Sequence, residues 1–175
     1  WTIHPIYSRN LTFDNISVVS KGDGYTGAAD DICVLNGDGI DPDSSILVNI
    51  FNINFLTGDD AVAIKSGRNK EGNDLDKPSA YIRITDCVSD GSKGGFVAGS
   101  ENASGLRDSL FQNLTVKNII LSHSVWLKTY WSRGGLSENL LFRDIDSSKR
   151  IDVAANYATS ENNPADELPV YRYMT

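Results

Sequence analysis

A short strand that carries an Asn or Asp recurs along the chain, and this repeat constrains the fold more than any other feature. The repeated segments read FDNISV, FNINFL, IRITDCV, FQNLTV and FRDIDS. Their polar anchors are separated by 37, 34, 27 and 31 residues and are Asn15, Asn52, Asp86, Asn113 and Asp144. Such spacing fits one solenoid coil per period, with loops of variable length. The repeat predicts an all-β chain folded as a right-handed, single-stranded parallel β-helix with stacked Asn and apolar ladders.

The alternative architecture is a β-sandwich, which also contains many short strands. Apolar and polar residues alternate at period two in runs such as 46–55, 81–88 and 110–116, and turn-forming clusters separate the runs. A sandwich should show hairpin signals, but the Asn-Gly pairs do not lie between clean alternating runs. Because no stretch of ten residues has helix start and stop signals, the β-helix is favoured.

The length of 175 residues suits one domain. We expect residues 1–175 to be part of one β-helix domain that lacks its N-terminal coils, because both ends read as cut strands rather than as caps. The opening residues WTIHPIYSRN contain no charged-then-apolar leader. Uncovered solenoid ends expose apolar strand faces, so self-association through these ends is a further expectation.

Charge and composition argue against several classes of partner. The net charge of −7 and the pI near 4.7 disfavour nucleic acid as the main partner. No window approaches 18 consecutive apolar residues, so no membrane span is expected. Cys33 and Cys87 match no metal-ligand spacing, and the chain has only two His. We therefore expect neither a metal site nor another cofactor.

Carboxylates concentrate in two turns, at 36–43 and 57–61. Asp38 and Asp59 are 21 residues apart, which is close to one coil. Successive coils lie about 4.7–4.9 Å apart, so the two side chains should stack, with Asp60 nearby. Like charges raise each other's pKa, and such a cluster suits acid/base hydrolysis of a glycosidic bond. Either turn alone would be an ordinary Asp-Gly or Asp-Asp turn.

An ordered series of motifs resembles glycoside hydrolase family 28, the polygalacturonases and related pectin-degrading enzymes. The motifs are WTIHP, NGDGIDPDSS, TGDDAVAIKSGRN, GGFVAGSE and LKTYWSRGG, and they extend over essentially the whole chain. The resemblance implies a right-handed parallel β-helix. Family members are about twice this length or more, so the chain resembles their central and later coils. The long segment between TGDD and GGFV is more similar to the exo-acting members.

The resemblance also implies roles for single residues. Asp59 resembles the general acid that protonates the leaving oxygen, and Asp38 and Asp60 resemble the pair that activates water, with inversion at the anomeric carbon. Lys128 matches the lysine that holds the substrate carboxylate, a role that suits an ammonium in an acidic cleft.

Two positions depart from the family pattern. Lys93 stands where the family has a histidine, and Trp126 stands where it has an arginine. Both remain substrate-binding candidates: Lys93 as a flexible charge and Trp126 as a ring that stacks on sugar. We expect weak activity on unsubstituted polygalacturonate and better activity on a decorated pectic chain. Arg133, in a predicted loop, is a further candidate for contact with an anionic sugar, with a solvated charge as the alternative.

Four other residues receive structural interpretations. His4 and His123 have no acidic partner in the sequence around them. Lys65 is expected on a strand beside the site, and Glu101 is expected to fix a turn.

The function predicted from these residues is hydrolysis of uronate-containing pectic polysaccharide or oligosaccharide by a secreted or periplasmic enzyme. One alternative is a degenerate or adhesin-like β-helix that binds polysaccharide without cleaving it. A pectate lyase is a third possibility, but it would need a calcium site and a basic proton acceptor.

Overall fold

The computed structural model describes residues 1–21, 34–157 and 163–175, and these residues form a parallel β-helix. The fold predicted from the sequence is therefore confirmed. Within the described residues the strands are β1 (Arg9–Asp14), β2 (Ser17–Val19), β3 (Ile46–Phe51), β4 (Asn54–Leu56), β5 (Val62–Ile64), β6 (Ser79–Asp90), β7 (Phe96–Ala98), β8 (Leu106–Lys117), β9 (His123–Lys128), β10 (Leu136–Ser147), β11 (Arg150–Ala154) and β12 (Val170–Met174), and one helix, α1, spans Asn69–Leu75.

The strands form two sheets whose neighbours are all parallel. The long sheet has the order β1-β3-β6-β8-β10-β12, with β2 and β4 pairing beside it. The short sheet has the order β5-β7-β9-β11. Isolated bridges extend the short sheet past β5, from Val62 to Ile40 and from Ile40 to Ile3. Each coil therefore contributes a strand or a bridge to both sheets.

Apolar side chains stack in register between the sheets. One row runs across five strands of the long sheet through Phe13, Ile50, Ile84, Phe111 and Phe142. The rings of Phe111 and Phe142 are stacked with their centroids 4.8 Å apart. Ile50, Ile84 and Phe111 are fully buried, and full burial of such a side chain contributes on the order of 1.5–3 kcal/mol to stability.

The recurring Asn and Asp residues mark one corner of the coil. All five anchors have a left-handed backbone, with φ between 50° and 55°. Asn and Asp tolerate this conformation better than other side chains that carry a Cβ. The Asn113 amide donates to Asp86 Oδ1 at 2.6 Å, and the Asn52 amide donates to Asp14 Oδ1 at 3.1 Å. The repeat found in the sequence is therefore a turn that recurs in successive coils.

Helix α1 is an element that the sequence did not indicate. It lies in the long segment between the TGDD and GGFV motifs and has only seven residues. Contacts from the next coil fix it: the Ser104 hydroxyl donates to Gly72 O at 2.6 Å, and the Asn73 amide donates to Ala103 O at 3.1 Å. Among the described residues, no helix has the length and apolarity needed to cross a membrane.

Candidate active site

A cavity of about 380 Å³ opens over the short sheet. Every site residue predicted from the sequence lines it: Asp38, Asp59, Asp60, Lys93, Trp126, Lys128 and Arg133. The β-helix brings these residues together because each coil places one short strand beside the last. The wall also contains charged residues that the sequence did not single out as site candidates.

Asp38 aligns with Asp60 rather than with Asp59 in the register of the coils. The bridge between Ile40 and Val62 sets an offset of 22 residues between these coils, so Asp38 and Asp60 share a register position. The sequence expectation of a 21-residue offset was therefore one residue short. Both carboxyls are only 3% exposed. Burial, followed by the charge of Asp60, raises the pKa of Asp38 to about 6.

Asp60 and Lys128 form a buried ion pair across three coils. Lys128 Nζ lies 2.8 Å from Asp60 Oδ2. Burial raises the pKa of Asp60 even though Lys128 opposes the shift. Burial, the largest single influence, would lower the pKa of Lys128, but the charge and hydrogen bond of Asp60, together with the charges of Tyr157 and Asp59, outweigh it and the net shift is upward. Loss of either partner would leave an uncompensated buried charge.

A glycine makes room for the Asp60 carboxyl. A Cβ on Gly94, in the next coil, would overlap Asp60 Oδ1. Gly94 does not have a positive φ, so it is required for space rather than for backbone conformation. The adjacent Lys93 ammonium lies 3.2 Å from Asp59 Oδ2. The segment Lys93-Gly94 therefore contacts both carboxylates of the TGDD turn.

Lys65 and Glu101 form a second charged cluster in the cavity. Lys65 is buried, and its Nζ lies 3.4 Å from Glu101 Oε2 and 3.7 Å from Asp38 Oδ2. Burial acts to raise the pKa of Glu101, but Lys65 and other cations lower it below its ordinary value. Glu101 was expected only to fix a turn, and the structure instead places it in the cavity wall.

Asp41 is a buried carboxyl that sequence analysis missed. Its side chain is fully buried, and neither oxygen has a hydrogen-bond partner among the described residues. Burial, with the nearby charge of Asp38, raises its pKa to about 8. The carboxyl is therefore mainly protonated at neutral pH. Its place in the NGDGIDPDS motif, three residues after Asp38, is the signal that could have identified it.

Arg133 is buried in the cavity wall at 1% exposure. The alternative of a solvated charge is therefore wrong. The residue lies in a turn after β9, as the sequence predicted.

The two histidines have acidic neighbours in other coils, which the local sequence could not reveal. His4 Nε2 lies 3.4 Å from Asp43 Oδ2, and His123 Nε2 lies 3.1 Å from Asp152 Oδ2. The His123 ring stacks on Trp126, with ring centroids 4.1 Å apart and planes 16° apart. One face of the Trp126 ring is thus covered by another side chain.

In the described ranges, no group of three His, Cys, Asp or Glu residues is positioned to hold a metal ion. Cys87 is buried with a free thiol whose pKa burial raises to about 11. Cys33 lies outside the described residues.

Comparison with known proteins gives a consistent set of relatives. A hyperthermoactive exopolygalacturonase from Thermotoga maritima superposes with a TM-score of 0.82 and 36% identity, covering 99% of this chain and 37% of that protein. A probable polygalacturonase from Vitis vinifera is 30% identical, covering 95% of this chain and 32% of the relative. An endo-polygalacturonase from Pectobacterium carotovorum subsp. carotovorum is 27% identical, covering 85% of this chain and 46% of that relative. The chain thus spans less than half the length of these relatives.

The sequence signature of Glycosyl hydrolases family 28 matches residues 2–168, which is nearly the whole chain. The matched range contains the acidic and basic residues that line the cavity. The chain belongs to glycosyl hydrolases family 28.

Proposed function

We propose that this chain is part of an enzyme that hydrolyses glycosidic bonds in uronate-containing pectic polysaccharide. The observation that supports this most strongly is the cavity itself, where Asp38, Asp59 and Asp60 lie together with lysine and arginine side chains. Carboxyls with raised pKa values can hold or accept a proton near their working pH. Cations in the same cavity can neutralise a uronate.

In the proposed reaction, water attacks the anomeric carbon while the bond to the leaving oxygen breaks. Asp38 and Asp60 take the proton from the water, and Asp59 gives its proton to the leaving oxygen. Attack from the side opposite the leaving group inverts the configuration at carbon. Burial raises the pKa of both Asp38 and Asp60, which makes each a better proton acceptor than an exposed carboxylate.

Basic side chains surround the acidic cluster and would hold the substrate carboxylate. Lys128 and Arg133 are both buried in the cavity wall, and Lys93 lies beside Asp59. An arginine can hold a carboxylate through two parallel hydrogen bonds, whereas a lysine acts as a single charge. We assign Arg133 as the directional contact and the two lysines as charge compensation.

The geometry around α1 favours exo action. The helix begins directly after Arg68, which lines the cavity, and the helix residues Glu71, Gly72 and Leu75 line an adjoining groove. An insertion at this place would narrow the path that a polymer follows through the cleft. We propose release of short products from a chain end, by a protein that acts outside the cytoplasm, where its polymeric substrate occurs.

A second candidate function is polysaccharide binding without cleavage. Lys93 and Trp126 favour it, because they replace residues that the active family pattern contains. In this alternative the cavity would retain its charges but lack the alignment needed for proton transfer.

Product analysis tests these candidates together. The protein is incubated with polygalacturonate and, separately, with rhamnogalacturonan, and reducing ends and ultraviolet absorbance are followed. Hydrolysis predicts new reducing ends without the ultraviolet absorbance of an unsaturated sugar. A rise in ultraviolet absorbance would indicate a lyase. Saturable binding with no new reducing ends on either polymer would support the binding protein and overturn the hydrolase.

A further inference from the structure

We propose that Trp126, Tyr157 and His123 form an aromatic brace that positions the Lys128 ammonium, so that Trp126 is a positioning residue rather than a sugar platform. The placement of Lys128 follows from the geometry alone. Only the kinetic consequence rests on the proposed function.

The Lys128 ammonium lies between a carboxylate and two aromatic rings. Its Nζ is 2.8 Å from Asp60 Oδ2, 5.0 Å from the centroid of the Trp126 ring and 5.3 Å from that of Tyr157. The side chain is only 9% exposed, so water contributes little to its solvation. Aromatic faces within about 6 Å attract a cation, and they do so more strongly when it is desolvated.

The two rings support each other across neighbouring coils. Trp126 and Tyr157 meet edge to face, with centroids 5.7 Å apart and planes 68° apart. The Tyr157 N–H donates to Thr129 O at 3.0 Å, which ties this residue to the segment that follows β9. The rings are therefore held where they can flank the ammonium.

His123 fixes the Trp126 ring from a covered face. The stacking distance of 4.1 Å brings the two rings into contact. His123 is in turn held by the next coil, where its Nε2 lies 3.1 Å from Asp152 Oδ2 and 2.9 Å from Arg150 Nη2. Asp152 is also the register partner of Trp126. The brace thus extends from the final strand of the short sheet to the cavity.

This arrangement accounts for a neutral ring at position 126. A cationic side chain there would repel the nearby ammonium, whereas the indole face attracts it. A sugar platform needs a free ring face, but His123 covers one face and Lys128 lies 5.0 Å from the ring centre. The ring is better placed to direct Lys128 toward Asp60 and toward a bound carboxylate.

Nuclear magnetic resonance tests the brace without any need for activity. Ring currents should shift the ε-methylene protons of Lys128 upfield in the parent, with Lys128→Arg used for assignment. Trp126→Leu should remove most of this shift, while Trp126→Phe should keep most of it. His123→Phe should also preserve the shift, because it retains a stacking ring. Trp131→Leu is the matched control, since Trp131 is exposed and does not line the cavity. A Lys128 signal that is unchanged in Trp126→Leu would overturn the brace.

Kinetics on polygalacturonate supply the second measurement. Trp126→Leu should lower kcat/KM about tenfold, while Trp126→Phe should stay within about threefold of the parent. Equal losses in the Phe and Leu variants would contradict the brace. A raised KM with an unchanged Lys128 signal would show a sugar platform instead. If the parent itself releases no reducing ends, the proposed function fails, and the magnetic resonance test of the brace still stands.

Discussion

The two sheets of this β-helix use the same stacking rule with opposite electrostatic results. At the corner of the long sheet, Asn113 donates to Asp86 at the solvent-exposed surface, so an amide meets a carboxylate. Over the short sheet, Asp38 and Asp60 are aligned at a buried register position, so one acidic residue lies over another. Lys128 then completes a buried ion pair with Asp60.

The difference shows which physical features distinguish a structural polar position from one in the proposed active site. An exposed amide–carboxylate pair is well solvated and stabilises the coil by a modest amount. Buried like charges cost free energy, raise each other's pKa and need cations nearby. The same spacing of coils therefore produces a structural ladder on one face and the proposed acid/base site on the other.

The largest expected effect comes from the proposed general acid. Asp59→Asn should lower kcat by about 10²–10⁴-fold, because it removes the proton donor but keeps the shape. Binding of oligogalacturonate, measured by calorimetry, should change little. The matched control is Asp108→Asn on the exposed ladder, where activity should equal that of the parent. Near-normal turnover in Asp59→Asn would assign the acid to another group.

Substitutions at two neighbouring glycines should distinguish effects on the site from effects on the scaffold. Gly94→Ala would push against the Asp60 carboxyl, whereas Gly95→Ala would push against the Ser124 carbonyl of the backbone. We expect Gly94→Ala to lower activity about tenfold or more. Its free energy of unfolding should fall by only about 1–3 kcal/mol. Gly95→Ala should cost more stability, because a backbone cannot rotate aside as a side chain can. Thermal unfolding and initial rates distinguish the two, and equal activity in Gly94→Ala and the parent would contradict the tight fit.

Asp41 links the buried face to pH-dependent stability. Its folded pKa of about 8 lies above the unfolded value, so between about pH 4 and about pH 8 the folded state holds a proton that the unfolded chain has released. The free energy of unfolding should therefore fall across this range, at up to about 1.4 kcal/mol per pH unit. Asp41→Asn should flatten that slope in urea titrations at several pH values. An unchanged slope would show that Asp41 ionises in the folded protein as it does in the unfolded chain.

The smallest effect is expected on the exposed ladder. Asn113→Ala should lower the free energy of unfolding by about 1–2 kcal/mol, because alanine is disfavoured at positive φ and the bond to Asp86 is lost. Asn113→Gly should cost less, since glycine adopts this backbone freely. Neither variant should change kcat/KM. A larger loss for Gly than for Ala would show that backbone conformation is not the main contribution.

The fold and the acidic turns could be predicted from the sequence because their signals are local. The repeated Asn and Asp anchors identified the coils, and the turns containing Asp38 and Asp59 identified the cavity. Helix α1 was missed because seven residues give too short a pattern. The 22-residue offset that aligns Asp38 with Asp60 was missed by one residue, since a single inserted residue changes the register.

Contacts between coils could not be read from neighbouring residues. Asp152 lies 29 residues from His123, and Glu101 lies 36 residues from Lys65. Which residues pair between coils depends on the lengths of the intervening loops, and the sequence alone does not show how these loops align the coils. The burial of Arg133 was likewise invisible, because a charged residue in a turn is usually solvated.

Titration of Asp38 tests most directly whether burial and a neighbouring carboxylate raise the pKa on the buried face, in contrast to the exposed ladder. Carbon magnetic resonance of the side-chain carboxyl, in the parent and in Asp60→Asn, would give its midpoint in each protein. We predict a midpoint near pH 6 in the parent, and a lower one in Asp60→Asn because the neighbouring carboxylate is removed. A midpoint near about 4 that does not respond to Asp60→Asn would contradict the account.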